Sequence, residues 1–252
     1  MKRLLIAASA ALGACQSVPY THRQHLVLIS AGQEASLGES SYKQALGEAK
    51  VSTDREATAM LQRVGARLAA AADKSDYKWE FTLLEDPKTI NAWCLPGGKV
   101  AVYSGLLPVS QDENGLAVVL GHEISHALAR HGSERMSQGL LAELGGAALG
   151  VALTNKPAET QALAQKAYGA GAQVGVLLPF SRAQESEADH IGLILMAKAG
   201  YDPDGAVAFW ERMAKAAGGG GTPELLRTHP SDDKRIAKIR EELPEARTYL
   251  KR

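Results

Sequence analysis

Between Asp54 and Ala72 the apolar residues Ala57, Leu61, Val64 and Leu68 fall three or four apart. Asp54 is placed to cap that segment, so it reads as a helix with one face in the core. The period then changes: Trp79, Phe81 and Leu83 alternate with Glu80 and Thr82, the repeat of a half-buried strand, and Asp86-Pro87 ends it. Residues 90–95 and 99–103 are two more short strands either side of Pro96-Gly97-Gly98, a sharp turn, and together these segments predict a small antiparallel sheet. Ser110 and Glu113 have capping-box spacing and open a segment rich in Leu, Val and Ala that runs to about His131. The glycine- and alanine-rich stretch 139–178 predicts closely packed helices joined near Asn155 to Pro157. Ser181 to Ala199 is a further helix closed by Gly200 and Pro203, and Gly218 to Gly221 a hinge or loop leading into Thr228-His229-Pro230. Residues 15–30 mix polar residues with a proline and show no sustained period, so they read as a tether. The expected fold class is α+β, predominantly helical, with a single domain over residues 31–252.

Composition narrows the class. The chain has 252 residues, 45% of them hydrophobic and 22% charged, which fits one ordinary globular domain. A formal net charge of zero supplies no basic field, and nucleic acid is not expected as a partner. Residues 1–14 read as a signal: Lys2 and Arg3 precede an apolar run from Leu4 to Leu12 that is too short to span a bilayer. Leu12-Gly13-Ala14-Cys15 is similar to the lipobox of a bacterial lipoprotein, which implies a lipidated Cys15; the alternative is ordinary secretory cleavage near Ala14. Gln16 after the cysteine favours the outer over the inner membrane, so the expected location is the periplasm with a lipid anchor in the outer membrane. Cys94 would then be the one remaining thiol, without an intramolecular disulfide, and reads as a small core residue.

The chemistry begins at His122-Glu123-Ile124-Ser125-His126, an HEXXH pattern. On a helix four residues advance about 400°, leaving the two imidazoles about 40° apart on one face, able to share a metal. Glu123 lies beside the open coordination position, where it can accept a proton from a water that the metal acidifies from a pKa of about 15.7 to near 7. The pattern also arises by chance, so a third ligand must be found. His131 is the nearest candidate, but on a continuing helix it lies about 140° from His126, and it reads as a supporting or surface residue. In Glu185-Ser186-Glu187-Ala188-Asp189, Glu185 and Asp189 share a helix face while Glu187 points away. That face offers one carboxylate for a metal and another to hold the spare N–H of a metal-bound histidine.

HEISHALARH, SRAQESEAD some fifty residues later, then RTHP, resembles the zinc metallopeptidases of the HtpX and CAAX-prenyl-protease family, and within it the soluble periplasmic lipoprotein branch of LoiP-like and BepA-like proteins. The resemblance extends over about residues 50–240 and includes NAWCLPGGKVAVYSGLL. It implies a zincin-like domain with a small sheet beside the HEXXH helix, one zinc ion per chain held by His122, His126 and Glu185, and Glu123 as general base. It also implies Asp189 as the partner of His122, His229 either as a resting fourth ligand or as a stabiliser of the oxyanion, and Arg235 as its companion for charge stabilisation. The implied activity is endopeptidase quality control of misfolded or misassembled envelope proteins. A lipoprotein chaperone or assembly factor with a structural or latent zinc site is the alternative.

Overall fold

The computed structural model describes residues 15–172, 178–217, 222–229 and 233–250. The signal-like residues 1–14 and the Gly218 to Gly221 hinge lie outside the described residues. The chain opens with an antiparallel hairpin of β1 (Cys15–Ser17) and β2 (Gln24–Leu26), in which Cys15 is exposed and opposite Leu26. This corrects the tether expected at 15–30. Val18, His25 and Val27 are buried, and Arg23 pairs with Glu134 and Glu187 far along the chain. A three-residue strand is too short to register as a period, and its partners are charges more than 100 residues away.

Helix α1 (Ala31–Glu48) starts on a capping box made by Ser30 and Gln33. Helix α2 (Arg55–Ala72) starts where Asp54 accepts from the Ala57 N–H at 3.0 Å, and it buries Leu61, Val64 and Leu68. Strands β3 (Glu80–Leu84), β4 (Ala92–Leu95) and β5 (Lys99–Tyr103) make a sheet of order β3-β5-β4. The sheet is mixed, not antiparallel as expected: β4 and β5 form a hairpin through Gly97 and Gly98, both at positive φ, but β5 pairs parallel to β3. Because the chain reverses into β4 and again into β5, β5 returns in the direction of β3, and β4 becomes the edge strand beside the HEXXH helix.

A short helix α3 (Leu107–Ser110) precedes α4 (Glu113–Leu128), which carries the HEXXH residues. The cap of α4 is Asp112, whose side chain accepts from the Gly115 N–H at 2.7 Å, and not Ser110. Gln111 at φ 70° separates the two helices, and the Ser110 hydroxyl instead donates to the Leu107 carbonyl. Nearly every side of α4 is buried, so it is the central rod of the core.

Against it pack α5 (His131–Ala152), α7 (Leu178–Lys198) and α8 (Gly205–Ala217), while α6 (Ala158–Ala172) lies on α5, and α10 (Asp233–Arg247) lies on α7 and α8. Helix α9 (Glu224–Thr228) is joined to the loop before β4 by the Leu225 N–H donating to the Ile90 carbonyl. Helices α5 and α6 pair through Tyr168, which meets Gly145 and Gly146. No helix among the described residues is long and apolar enough to cross a membrane. The crossing of α4 and α7 is tight because Gly121 and Gly192 face one another. A Cβ on Gly192 would lie 3.1 Å from the backbone nitrogen of His122, and one on Gly121 would lie 3.0 Å from the Gly192 carbonyl oxygen. This close approach brings the face bearing Glu185 and Asp189 to the histidines of α4.

Candidate metal centre

Four side chains from three segments converge. His122 and His126 come from α4, Glu185 from α7, and His229 from the residue that ends α9; one donor atom from each lies within 4.8 Å of the others. His122 Nε2 stands 3.1 Å from His126 Nε2 and 3.4 Å from Glu185 Oε2. His126 Nε2 is 3.6 Å from Glu185 Oε1, while His229 Nδ1 is 3.0 Å from both oxygens of Glu185 and 3.3 Å from His122 Nε2. A tetrahedral zinc with bonds of about 2.0–2.1 Å separates its donors by about 3.3–3.4 Å, so this set of nitrogens and carboxylate oxygens fits such an ion in spacing and in chemistry. Glu123 lies beside them, buried, with its Oε1 lacking a hydrogen-bond partner and His229 Nε2 standing 3.4 Å away.

The surroundings fix these groups. His122 Nδ1 meets Asp189 Oδ1 at 2.9 Å, which holds the proton on that nitrogen and leaves Nε2 free for a metal. Asp189 also accepts two bonds from Arg235, from Nε and Nη2, each at 2.7 Å. Arg235 is buried, its guanidinium 3.4 Å over the ring of Trp210, which itself packs edge-on against His122. Its Nε and Nη2 are thus directed at Asp189, behind His122, while its Nη1 donates to the His229 carbonyl at 3.4 Å. Burial and the compact helix crossing explain this placement: a guanidinium in the core needs a carboxylate.

Electrostatics separates the carboxylates. Burial alone would raise Glu185, but hydrogen bonds from His122 and His229 hold it far below the usual range, so it is an anion suited to a cation. Burial pushes Glu123 upward against the opposing pull of His229 and His122, which makes it a better proton acceptor than an ordinary glutamate. Burial lowers His126 strongly, whereas for His122 the nearby Asp189 outweighs burial and lifts it to about 9. Cys94, on β4 near Glu123, has its thiol pushed up by burial and carries no thiolate at neutral pH.

The profile of peptidase family M48 matches residues 55–243. The chain belongs to that family. This M48 chain is 38% identical over 240 residues to the mitochondrial metalloendopeptidase OMA1 of Schizosaccharomyces pombe, covering 91% of itself and 66% of that protein. It is 31% identical over 266 residues to OMA1 of Saccharomyces cerevisiae, covering 93% of itself and 73% of that relative. With the beta-barrel assembly-enhancing protease of Escherichia coli it shares 32% identity over 216 residues, 84% of its own length but 44% of the other's. The M48 chain thus spans from under half to about three quarters of these relatives.

In this M48 site His131 takes the supporting place read for it and Glu187 points away from the metal-facing side, but the break in the helix and the contact between the two were not anticipated. Arg130 has φ 55° and ends α4 one residue before α5 begins, so the chain bends and the α4 rotation does not continue to His131. The bend returns His131 to within 2.9 Å of His126, Nδ1 to Nδ1. Glu187 points away from the metal cluster and meets His131 Nε2 at 2.9 Å. The spacing HALARH held the residues but gave no hint of the break.

Proposed function

We propose that this M48 metallopeptidase is a zinc-dependent endopeptidase of the bacterial cell envelope that hydrolyses misfolded or misassembled envelope proteins. We place it in the lipoprotein branch of the family, anchored to the outer membrane through a lipidated Cys15. The observation that carries the chemistry is Glu123, a buried carboxylate whose Oε1 accepts no hydrogen bond and stands 3.4 Å from His229 Nε2, beside three residues, His122, His126 and Glu185, able to hold a metal. Held by His122, His126 and Glu185, a zinc ion would supply a Lewis acid for the scissile carbonyl and would make water acidic near neutral pH. Glu123 is placed to accept a proton from that water and to return it to the leaving amine. Glu185 would bring negative charge to the ion, and Asp189 keeps His122 in the tautomer that presents Nε2. The edge of β4 that does not pair with β5 can accept an extended peptide as an added strand, which favours unfolded clients. The envelope role draws support from the residues around Cys15 and from the likeness to the E. coli beta-barrel assembly-enhancing protease; the OMA1 relatives are mitochondrial metalloendopeptidases.

Glu123→Gln is expected to retain zinc while casein hydrolysis falls by at least about 100-fold, the usual range for loss of a general base. Undiminished cleavage by the purified variant would overturn the assignment.

His229 favours a second reading, a latent or assembly-factor form of the same site, because it stands as a fourth donor at 3.0 Å from Glu185. A site closed by four protein ligands has no place for water. If His229 acts as a latch, His229→Ala raises basal peptide hydrolysis, whereas a role in stabilising the oxyanion predicts a fall of about 100-fold. Steady-state rates on a short unstructured peptide separate the two.

A further inference from the structure

We propose that His131 and Glu187 are positioning residues that fix the ring of His126, and that the N-terminal hairpin completes the device by seating Arg23 and Thr21 on Glu187. The inference rests on reading His122, His126 and Glu185 as metal ligands. His126 turns Nε2 into the cluster, 3.1 Å from His122 Nε2, so its proton sits on Nδ1. That N–H donates to His131 Nδ1 at 2.9 Å. His131 must then carry its own proton on Nε2, which donates to Glu187 Oε2 at 2.9 Å. Both His131 and Glu187 are buried, and the direction of donation is set along the whole row by the nitrogen that faces the metal.

Glu187 does not stand alone at the end of that row. Arg23 Nε donates to its Oε2 at 2.8 Å and the Thr21 hydroxyl donates to Oε1. The same guanidinium grips Glu134 at 2.7 and 2.8 Å, and Gln184 Nε2 donates to Glu134 at 2.9 Å. Glu134 and His131 belong to α5, Gln184 and Glu187 to α7, so one arginine from the hairpin bolts together the two helices that carry the row. The arrangement parallels the other histidine: His122 leads to Asp189 and Arg235, and His126 leads through His131 to Glu187 and Arg23. Each metal-facing imidazole is backed by a carboxylate that is itself held by an arginine. A group of this kind fixes ring orientation and basicity, and its loss costs about 10–100-fold in metal affinity.

The test uses the full chain freed of metal and titrated with zinc against a chelating indicator, alongside the visible spectrum of the cobalt(II) form, which reports ligand geometry. His131→Ala is expected to weaken zinc binding by about 10–100-fold and to alter the cobalt spectrum. His131→Gln, whose amide oxygen can accept from His126 Nδ1, restores most of the affinity. Arg23→Gln weakens binding in the same direction by less, and in His131→Ala and Arg23→Gln kcat falls while KM for a peptide stays put, with His131→Gln recovering most of kcat. Arg63→Gln, which breaks an exposed pair with Glu113, serves as the control and leaves zinc affinity unchanged. His131→Ala that folds and binds zinc within twofold of wild type, with an unaltered cobalt spectrum, overturns the proposal. Should His131→Ala not fold, Arg23→Gln and Glu187→Gln decide it by the same readouts. Wild-type protein that binds no zinc overturns the metal reading itself, a result distinct from variants that bind normally.

Discussion

His122 and Asp189 carry the relation between sequence spacing and chemistry at the scale of single residues. Two turns of α4 and α7, four residues each, place His122 with His126 and Glu185 with Asp189 on facing sides, and those four positions were legible because helical rotation depends on spacing alone. Removing the charge behind His122 tests the relation. Asp189→Asn keeps an oxygen near Nδ1 but loses the anion that Arg235 grips at 2.7 Å. Zinc affinity is expected to fall about 10–100-fold, measured by competition against a chelator, and proteolysis to fall with it. His131 and Arg235 were harder to place. The bend at Arg130 uses a left-handed conformation at a residue that is neither glycine nor asparagine, so no residue type announces it. Arg235 finds its carboxylate only once α10 lies across α7, a matter of packing that no local pattern encodes.

Among the elements, the contact between α4 and α7 decides whether the ligands meet. Gly121 and Gly192 permit it, and neither stands out in a chain with 25 glycines. A methyl group on Gly192 would press within 3.1 Å of the backbone at Gly121 and His122. Gly192→Ala is therefore expected to lower stability by about 1–3 kcal/mol, seen in the urea midpoint. It is also expected to weaken zinc binding, since relief requires moving Glu185 away from the histidines. An unchanged midpoint and affinity would show that the helices have slack. Helix α2 was visible in its apolar spacing, α4 in its run of Leu, Val and Ala, α7 in the Gly200 and Pro203 that close it, and α5 and α6 in their small residues. The parallel pairing of β3 with β5 was not, because strand order depends on how the chain folds between them. The cap of α4 was misplaced by two residues because Gln111 breaks the helix between Ser110 and Asp112.

For the whole molecule, the predominantly helical α+β class followed from periodicity, but the hairpin that clasps the domain did not. Its hold is electrostatic. Burial would raise Glu134, yet bonds from Arg23, His25 and Gln184 keep its carboxyl well below the usual carboxylate range. A group depressed in the folded state stabilises the fold above its unfolded pKa, and that contribution is lost as pH falls through the folded value. Arg23→Gln removes the principal partner, so wild type should exceed the variant in stability at neutral pH. The gap should close as pH drops below about 4.5, checked by urea unfolding along a pH series. A gap that stays constant with pH would mean that Arg23 acts through packing alone.

The spread of the metal cluster along the chain has a consequence for synthesis. His229 comes 107 residues after His122, and the clasp on Glu187 spans 164 residues. Contacts so distant in sequence form late, after the intervening loops have closed. The metal cluster is therefore complete only when residues more than 100 positions apart have been made and brought together, so a metal could be held by all four donors only after α4, α7 and the end of α9 have met.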